Sequence, residues 1–391
     1  MKLPWRMRFG IFMAPFHKIG ENPTASLQRD LDLIAWLDHL DFDEAYVGEH
    51  HSGGWENITD PAVFIAAAAQ QTRTIKLGTG VTSLPYHHPL NVADRMVLLD
   101  HLTRGRIILG VGPGALPSDA MMYGIDHSML RPRMEESLGV IIRLLDGETV
   151  NHKSDWFELN DARLHVLPYS RPRLPIAVAG VQTPAGPTAA GKYGVGLIAI
   201  ASTVFGGLGD YAGMWRTAEE AAAEAGQTIS REDWRITMPL FIAESKKEAI
   251  NDIKDWFLEC ERSYIEDIVG RPHKPGGGAI EPLIESGLAI VGTPDDAIKQ
   301  IERLQEASGG FGGLLAIGYE WTTNEKIRHS YELLARYVAP HFQGTLEGPV
   351  LSGELVASKA AEANVRRQAA TVKAFEDAGK AVTEEMRASL S

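Results

Sequence analysis

Short apolar runs alternate with helix-period segments along most of the 391-residue chain. The runs at 107–109 and 314–317 are apolar throughout, as expected for parallel strands that are covered on both faces. The segment 24–40 is typical of the helical stretches, with apolar residues on one face at Leu27, Leu31, Ile34 and Leu37. Because parallel strands need a crossover connection, this alternation predicts an α/β fold built on a parallel sheet.

The number of strands distinguishes between parallel folds. Eight segments are expected to be strands: 8–13, 44–48, 75–81, 106–111, 175–179, 196–201, 235–243 and 313–318. Helices are expected at about 24–40, 61–71, 89–102, 131–145, 210–225, 246–264, 295–307 and 324–337. Eight strands favour a closed (β/α)8 TIM barrel. An open eight-stranded sheet would give a similar pattern and stays as the alternative.

Two insertions and a C-terminal extension depart from the alternation. Residues 150–170 contain two short runs, 156–159 and 163–166, that predict a β-hairpin. Residues 265–292 include a Pro- and Gly-rich stretch at 271–278 and predict an irregular lid loop. We therefore assign residues 1–345 to the barrel and 346–391 to a polar, Ala-rich extension that is expected to be a helical arm.

Composition excludes several classes of function. The formal net charge of −13 argues against nucleic acid or an anionic membrane as the main partner. The single cysteine, Cys260, rules out an intrachain disulfide and suits a cytoplasmic location. No apolar stretch approaches the roughly 18 residues that a membrane span needs, and the N-terminus does not resemble a signal peptide.

The residues that follow each strand are the candidates for chemistry, because TIM barrels carry their active sites at the carboxyl ends of the strands. Glu49, His50 and His51 follow the second strand. Neighbouring side chains on a strand point to opposite faces, so the two histidines are not expected to bind one metal ion, and no metal site is predicted. An ordinary pKa of about 6.5 suits a histidine to proton transfer.

Glycines follow the third and fourth strands. The run 110–114 lacks the full dinucleotide-binding pattern, and Pro113 removes one amide that would contact phosphate. Close approach of the backbone to a flat ligand is the better interpretation of these glycines. Further along, the segment 87–89 predicts a turn into the third helix, with Pro89 at the first helical position.

Taken in order, these blocks resemble the bacterial luciferase-like flavin-dependent monooxygenases. The resemblance rests on the motif at 49–51, the strand-end glycines at 78–81, the stretch 98–112, the residues 123–131 and the segment 291–295, and it covers about residues 7–340. Within this family, the sequence most resembles the limonene monooxygenase group. The family implies a (β/α)8 barrel that binds FMN, or a deazaflavin in one branch, at the carboxyl ends of the strands.

The resemblance also implies roles for individual residues. His50 matches the catalytic histidine, with Glu49 and His51 beside it, and the bulge at Gly80 and Val81 would lie under the flavin ring with a non-proline cis peptide. Arg131 matches a phosphate-binding arginine, whose guanidinium suits a phosphate. The expected cofactor-binding residues are Thr79, Gly80, Val81, Gly112, Arg131, Ala179, Gly180, Val181 and Gln182. The luciferases carry an acid and a hydroxyl residue where Gly180 and Val181 stand.

The activity that the resemblance implies is a two-component monooxygenase. A separate flavin reductase would supply reduced FMN, or FAD, because the chain lacks a convincing nicotinamide motif. O2 would then oxygenate a small apolar substrate: epoxidation for a monocyclic terpene such as limonene, or nucleophilic attack on a ketone or aldehyde. The residues expected to line the substrate pocket are Phe12, Phe16, Trp55, Met121 and Met122.

Two alternatives stay open. One is a deazaflavin (F420)-dependent oxidoreductase on the same barrel, which would transfer hydride and need no oxygen. The other is a flavin-binding protein without turnover, although the intact motif at 49–51 argues against it. Because barrels of this family often pair through one face, a homodimer is expected.

Overall fold

The computed structural model describes residues 3–181, 183–200, 210–270 and 279–386. The strands are β1 (Arg8–Phe16), β2 (Glu44–Val47), β3 (Lys76–Thr79), β4 (Thr82–Ser83), β5 (Ile107–Gly112), β6 (Val150–Lys153), β7 (Glu158–Ala162), β8 (Ile176–Gly180), β9 (Gly196–Ile200), β10 (Trp234–Ile242), β11 (Ile290–Gly292) and β12 (Gly313–Tyr319). The α-helices are α1 (Pro23–His39), α2 (Pro61–Gln71), α3 (Pro89–Thr103), α4 (Pro117–Met122), α5 (Leu130–Leu145), α6 (Ala185–Tyr193), α7 (Tyr211–Glu224), α8 (Lys246–Cys260), α9 (Glu281–Ser286), α10 (Pro294–Ser308), α11 (Asn324–Leu333), α12 (Ala339–Gln343) and α13 (Glu347–Asp377).

Eight parallel strands form a closed barrel in the order β1, β2, β3, β5, β8, β9, β10 and β12. The ring closes because β12 pairs with both β1 and β10. The prediction of a TIM barrel is therefore confirmed, and the open sheet is excluded. Six buried apolar side chains from six of these strands form one cluster: Phe12, Tyr46, Ile108, Ala177, Ile198 and Leu315.

Local sequence signals set several helix ends. Asp60 caps α2 by accepting hydrogen bonds from the amides of Ala62 and Val63, and Pro61 occupies the first helical position. The predicted helix at 61–71 begins and ends at the same residues as α2. The predicted helices at 246–264 and 324–337 each change from α- to π-helical geometry, over Glu261–Glu266 and Leu334–Val338.

The hairpin insertion is present, but its strands differ from those expected. β6 pairs antiparallel with β7, which places the turn, not a strand, at Trp156 and Phe157. Phe157 is buried and stacks on His152 with ring centroids 5.0 Å apart. Trp156 and Phe157, which suggested a strand, instead belong to the turn and pack it against the protein. Residues 163–166, the other predicted run, form no strand.

The second insertion is partly regular. Within 265–292 the described residues form α9 and β11, and β11 pairs parallel with β10. The remaining part of the predicted lid, 271–278, lies outside the described residues. By contacts the chain divides into Met1–Gln343 and Gly344–Ser391. The second unit contains α13, which has no buried residues. None of the helices in the described ranges is both long and apolar enough to span a lipid bilayer.

A buried ion pair joins two strands at the amino end of the barrel. Glu44 of β2 accepts hydrogen bonds from Nε and Nη2 of Arg235 on β10, at 2.6 and 2.8 Å, and Arg8 Nε lies 3.2 Å from Glu44 Oε1. The Glu44 side chain is fully buried. Burial disfavours its charge, but Arg235 and Arg8 more than offset this and lower the pKa of Glu44 to about 2.

We predict that Glu44→Gln lowers the free energy of unfolding at pH 7 by about 3–5 kcal/mol, because Arg235 is left buried without its counter-charge. The unfolded-state pKa of a glutamate is about 4.3. Since the folded-state pKa of Glu44 is lower, its stabilisation is complete above that value and is lost as pH falls towards 2. Urea titrations of both proteins at pH 7, and at intervals down through this window, measure the effect.

The matched control is Glu158→Gln, which removes an exposed carboxylate paired with Lys153 at 3.0 Å. Exposed pairs of this kind contribute little, so no measurable loss is expected. Equal losses in the two variants, or a Glu44→Gln deficit that does not shrink at low pH, would contradict the assignment.

Candidate active site

A cavity lies at the carboxyl end of the barrel, where the sequence predicted the site. Its wall is mainly apolar, with polar groups gathered around His50. The lining residues are Phe12, Ala14, Phe16, Glu49, His50, Glu56, Gly80, Val81, Ser83, Ala115, Ile200, Tyr264, Ile317 and Tyr319.

Two of the five residues expected to form the substrate pocket line this cavity, Phe12 and Phe16. Trp55 is buried behind the wall and packs on Tyr264, with ring centroids 5.8 Å apart. Met121 and Met122 are not in the wall, because α4 buries Asp119 and Ala120 and turns the next two side chains outwards. These methionines are 74% and 64% exposed.

Glu49 is a buried carboxylate with three hydrogen-bond donors. Its Oε1 accepts from Nε2 of His51 at 3.0 Å and from Nε2 of His87 at 2.9 Å, and its Oε2 accepts from the amide of Ser83 at 3.0 Å. Burial opposes the charge, yet these donors lower the pKa of Glu49 below its ordinary value. The sequence predicted only a turn at His87, so its contact with Glu49 is a finding of the structure.

His50 lies between two other carboxylates. Its Nδ1 is 3.0 Å from Asp119 Oδ2, and its Nε2 is 3.3 Å from Glu56 Oε2. His50 and His51 thus have different side-chain partners, although both lie beyond the end of β2 at Val47, where strand alternation no longer applies. Burial lowers the pKa of His50, but Glu56, Asp119 and Glu49 outweigh it, and the net shift is upwards. A ring with a carboxylate at each nitrogen is best satisfied when both nitrogens are protonated.

The two carboxylates that flank His50 are themselves held in place. Asp119 Oδ1 accepts from the amide of His51 at 3.1 Å and from the hydroxyl of Ser52, and these contacts together with His50 lower its pKa despite burial. Glu56 Oε1 accepts a hydrogen bond of 2.6 Å from the hydroxyl of Tyr264. None of Asp119, Glu56 and Tyr264 was predicted from the sequence as a site residue. Only Pro117, a helix-start signal just before Asp119, could have indicated a segment that turns inwards here.

A bare stretch of backbone forms the wall where β3 ends. The Gly80–Val81 peptide is cis, as the resemblance implied. A Cβ at Gly80 would lie 2.8 Å from Tyr46 Cβ, and a Cβ at Gly112 would lie 2.6 Å from Val81 Cγ2, so both positions accept only glycine without rearrangement. Thr79 contributes a hydroxyl that donates to the carbonyl of Gly110 at 2.6 Å.

The residues expected to bind phosphate lie on neighbouring elements. Arg131 is exposed in the first turn of α5, Gly180 ends β8, and Val181 follows it in the connection to α6. Lys192 of α6 pairs with Glu135 of α5, and Arg131 lies one turn from Glu135 towards the carboxyl end of the barrel. A Cβ at Gly186 would come within 2.4 Å of the carbonyl of Ala179, so α6 begins in direct contact with β8. Gln182 lies outside the described residues.

Comparison with known proteins identifies the family. A model described as "Luciferase-like monooxygenase" matches residues 7–309. The chain belongs to the luciferase-like monooxygenase family. The family resemblance and the prediction of an oxidoreductase are thereby confirmed.

Three similar proteins represent this luciferase-like family. Limonene 1,2-monooxygenase of Rhodococcus erythropolis is 48% identical over 89% of each chain. 4-Hydroxyprotoasukamycin monooxygenase of Streptomyces nodosus subsp. asukaensis is 45% identical over 91% of this chain and 97% of its own. Among solved structures, the oxygenating constituent of 3,6-diketocamphane monooxygenase of Pseudomonas putida, a type II Baeyer–Villiger enzyme in complex with FMN, is 26% identical. That structure covers 86% of this chain and 98% of its own with a TM-score of 0.74.

We predict that Asp119→Asn lowers the pKa of His50, because the carboxylate of Asp119 favours the charged ring and the amide does not. The ring of the variant should lose its proton at a lower pH than that of the wild type. An NMR titration of ¹³C- or ¹⁵N-labelled histidine in the flavin-free protein measures both values. Asp94→Asn, at an exposed position of α3, is the control and should leave His50 unchanged. A His50 titration that is identical in all three proteins would remove Asp119 from this role.

Proposed function

We propose that this luciferase-like monooxygenase uses reduced FMN and O2 to epoxidise a small apolar alkene of the size of a monocyclic terpene, such as limonene. The observation that carries the proposal is the cavity, which is lined both by the polar cluster around His50 and by the apolar side chains of Phe12, Phe16 and Ile317. Nearly half of the residues are shared with a protein named limonene 1,2-monooxygenase, which supports an alkene substrate.

The residues present fit FMN. The backbone of Gly80, which has no side chain, borders the cavity together with Val81, His50 and Ser83, and a flat ring could lie against it. Arg131 makes no ion pair with any residue in the described ranges, so its guanidinium is available to phosphate. The start of α6 would supply backbone amides to the same group. When bound, reduced FMN would supply the electrons that activate O2.

The chain's own residues would do three things around the reacting atoms. Phe12, Phe16 and Ile317 would hold an apolar substrate and keep water away from it. His50 would hold a proton beside the cavity, since its pKa is raised by Glu56 and Asp119. Glu49 would orient His51 through the hydrogen bond to Nε2.

The rival activities have less support. The relatives at 48% and 45% identity are both named monooxygenases, which disfavours a deazaflavin-dependent hydride transfer. Attack on a ketone is the reaction of a protein only 26% identical, although that protein's FMN favours FMN over FAD here. Its description as an oxygenating constituent supports a separate flavin reductase as partner. We also propose a cytoplasmic homodimer, on the grounds given by the sequence.

The proposal predicts that purified protein forms limonene epoxide only in the presence of FMN, NADH, O2 and a separate flavin reductase. The reason is that reduced flavin must be supplied from outside. Gas chromatography of the products measures the yield, with camphor-type ketones as the competing substrates. Product formation with NADPH and FMN but no reductase would contradict the two-component assignment, and lactone without epoxide would favour the ketone reaction.

For Arg131 the proposal predicts that Arg131→Ala weakens the binding of reduced FMN more than that of reduced riboflavin. A charge-assisted hydrogen bond is worth about 1.5–3 kcal/mol, so the FMN dissociation constant should rise by about 10- to 100-fold. Anaerobic fluorescence titration of the wild type and the variant with each flavin gives the four dissociation constants. Arg143→Ala, in the last turn of the same helix, is the control and should affect neither. Equal losses for FMN and riboflavin would place Arg131 away from the phosphate.

A further inference from the structure

His50 has no ring nitrogen free to meet a reacting atom. Nδ1 faces Asp119 at 3.0 Å and Nε2 faces Glu56 at 3.3 Å. Asp119 is not among the residues that line the cavity, whereas Glu56 is. A proton on Nε2 of His50 therefore meets the carboxylate of Glu56 on its way into the cavity.

We propose that Glu56 is a further catalytic residue, which passes a proton from His50 to the reacting oxygen, and that Tyr264 is a positioning residue that holds Glu56 in the cavity wall. The proposal rests on the monooxygenase function proposed above. The two side chains come from segments that are far apart in sequence, since Glu56 and Tyr264 are 208 positions apart.

Glu56 is fixed from two sides. The hydroxyl of Tyr264 donates to Oε1 at 2.6 Å, and the backbone of Glu56 forms an antiparallel bridge with that of Phe16. The ring of Tyr264 meets Phe16 edge-on at a centroid distance of 4.8 Å and an interplanar angle of 88°. Only 4% of the Glu56 side chain is exposed, so Oε2 is held beside His50 and not released to solvent.

Tyr264 reaches Glu56 from an irregular part of the fold. It lies in the π-helical stretch Glu261–Glu266 that continues α8. A π-helical turn inserts one residue and re-aims the side chains that follow, and such turns are frequent at functional sites. Here the side chain in the π-helical stretch is Tyr264, and its hydroxyl contacts Glu56.

The proton balance is simple. The N–H bond at Nε2 of His50 breaks and an O–H bond forms at Oε2 of Glu56, which leaves a neutral imidazole whose Nδ1–H still donates to Asp119. The O–H bond of Glu56 then breaks as a new one forms on the oxygen atom that departs as water, and Glu56 is again a carboxylate. O2 and reduced flavin, which the proposed activity supplies, are the oxidant and the reductant. His50 regains its proton from solvent between turnovers.

The charges around His50 supply the ring with the proton that is to be transferred. Glu49, Glu56 and Asp119 are the carboxylates that act on the ring, and together they raise its pKa against the effect of burial. Asp119 keeps its hydrogen bond to Nδ1 when Nε2 loses its proton, so the neutral ring stays in the orientation in which it can take up the next proton.

The decisive variant is Glu56→Gln, which keeps the size of the side chain and can still accept from Tyr264. In the flavin-free protein, ¹⁵N NMR of histidine should show that Nε2 of His50 loses its proton at a lower pH than in the wild type. In the reconstituted enzyme, the ratio of oxygenated product to hydrogen peroxide should fall by about 10²- to 10⁴-fold, the range for a positioned proton donor. Glu56→Asp should restore part of that ratio.

Tyr264→Phe keeps the ring packing and removes the hydrogen bond, so the ratio should fall on the order of 10-fold. Glu281→Gln and Tyr337→Phe, at exposed positions, are the matched controls and should leave both readouts unchanged. Thermal unfolding by circular dichroism verifies that each variant is folded.

An unchanged His50 titration in Glu56→Gln would overturn the proposal, as would wild-type coupling of product to O2 in that variant. A wild-type enzyme that yields no oxygenated product from any alkene or ketone would instead reject the proposed function. The NMR titration would then still decide whether Glu56 controls the Nε2 proton.

Discussion

The carboxylate of Glu49 accepts hydrogen bonds from His51, His87 and the amide of Ser83, within 3.0 Å and away from solvent. This one acceptor ties the end of β2 to β4 and to the turn before α3. Its effect on His50 passes through Asp119. The amide of His51 donates to Oδ1 of Asp119, and Oδ2 of the same carboxylate lies 3.0 Å from Nδ1 of His50, so the contact that holds His51 also helps to place the partner of His50. The arrangement around the cavity thus depends on a hydrogen-bond acceptor that needs no contact with substrate.

The two ends of the barrel use buried carboxylates for different purposes. Glu44 meets two arginines at the amino end, so its charge is neutralised and its pKa is lowered to about 2. At the carboxyl end the partners of the carboxylates include histidines, a residue type that can exchange protons in the physiological pH range. Glu49, Glu56 and Asp119 are therefore balanced by groups that can take up and release protons. A permanent cation such as arginine would stabilise those carboxylates equally well but could not exchange a proton with a reacting oxygen.

Much of the fold was predictable because its signals are local. Strands that are apolar throughout and helices with one apolar face fix the eight-fold alternation, and Asp60 with Pro61 marks the start of α2. His50 and the Gly80–Val81 cis peptide were expected from short motifs. Asp119 and Tyr264 were not, since their contacts join positions 69 and 208 residues apart and leave no local pattern. The outward turn of Met121 and Met122 was missed for the same reason: it depends on the short helix that delivers Asp119 to His50.

A charged proton donor is costly to place in an apolar cavity, and here the positions of the neighbouring carboxylates compensate for that cost. A charged histidine is costly to bury alone, and an apolar wall would expel it. Here the charge is shared with three carboxylates on one side of the cavity, while Phe12, Phe16 and Ile317 form the wall that excludes water. The polar cluster can remain charged because its hydrogen bonds come from the protein and not from solvent. An apolar substrate can then lie against these side chains, of which Phe16 adjoins Glu56 and Tyr264, and stay close to the proton donor.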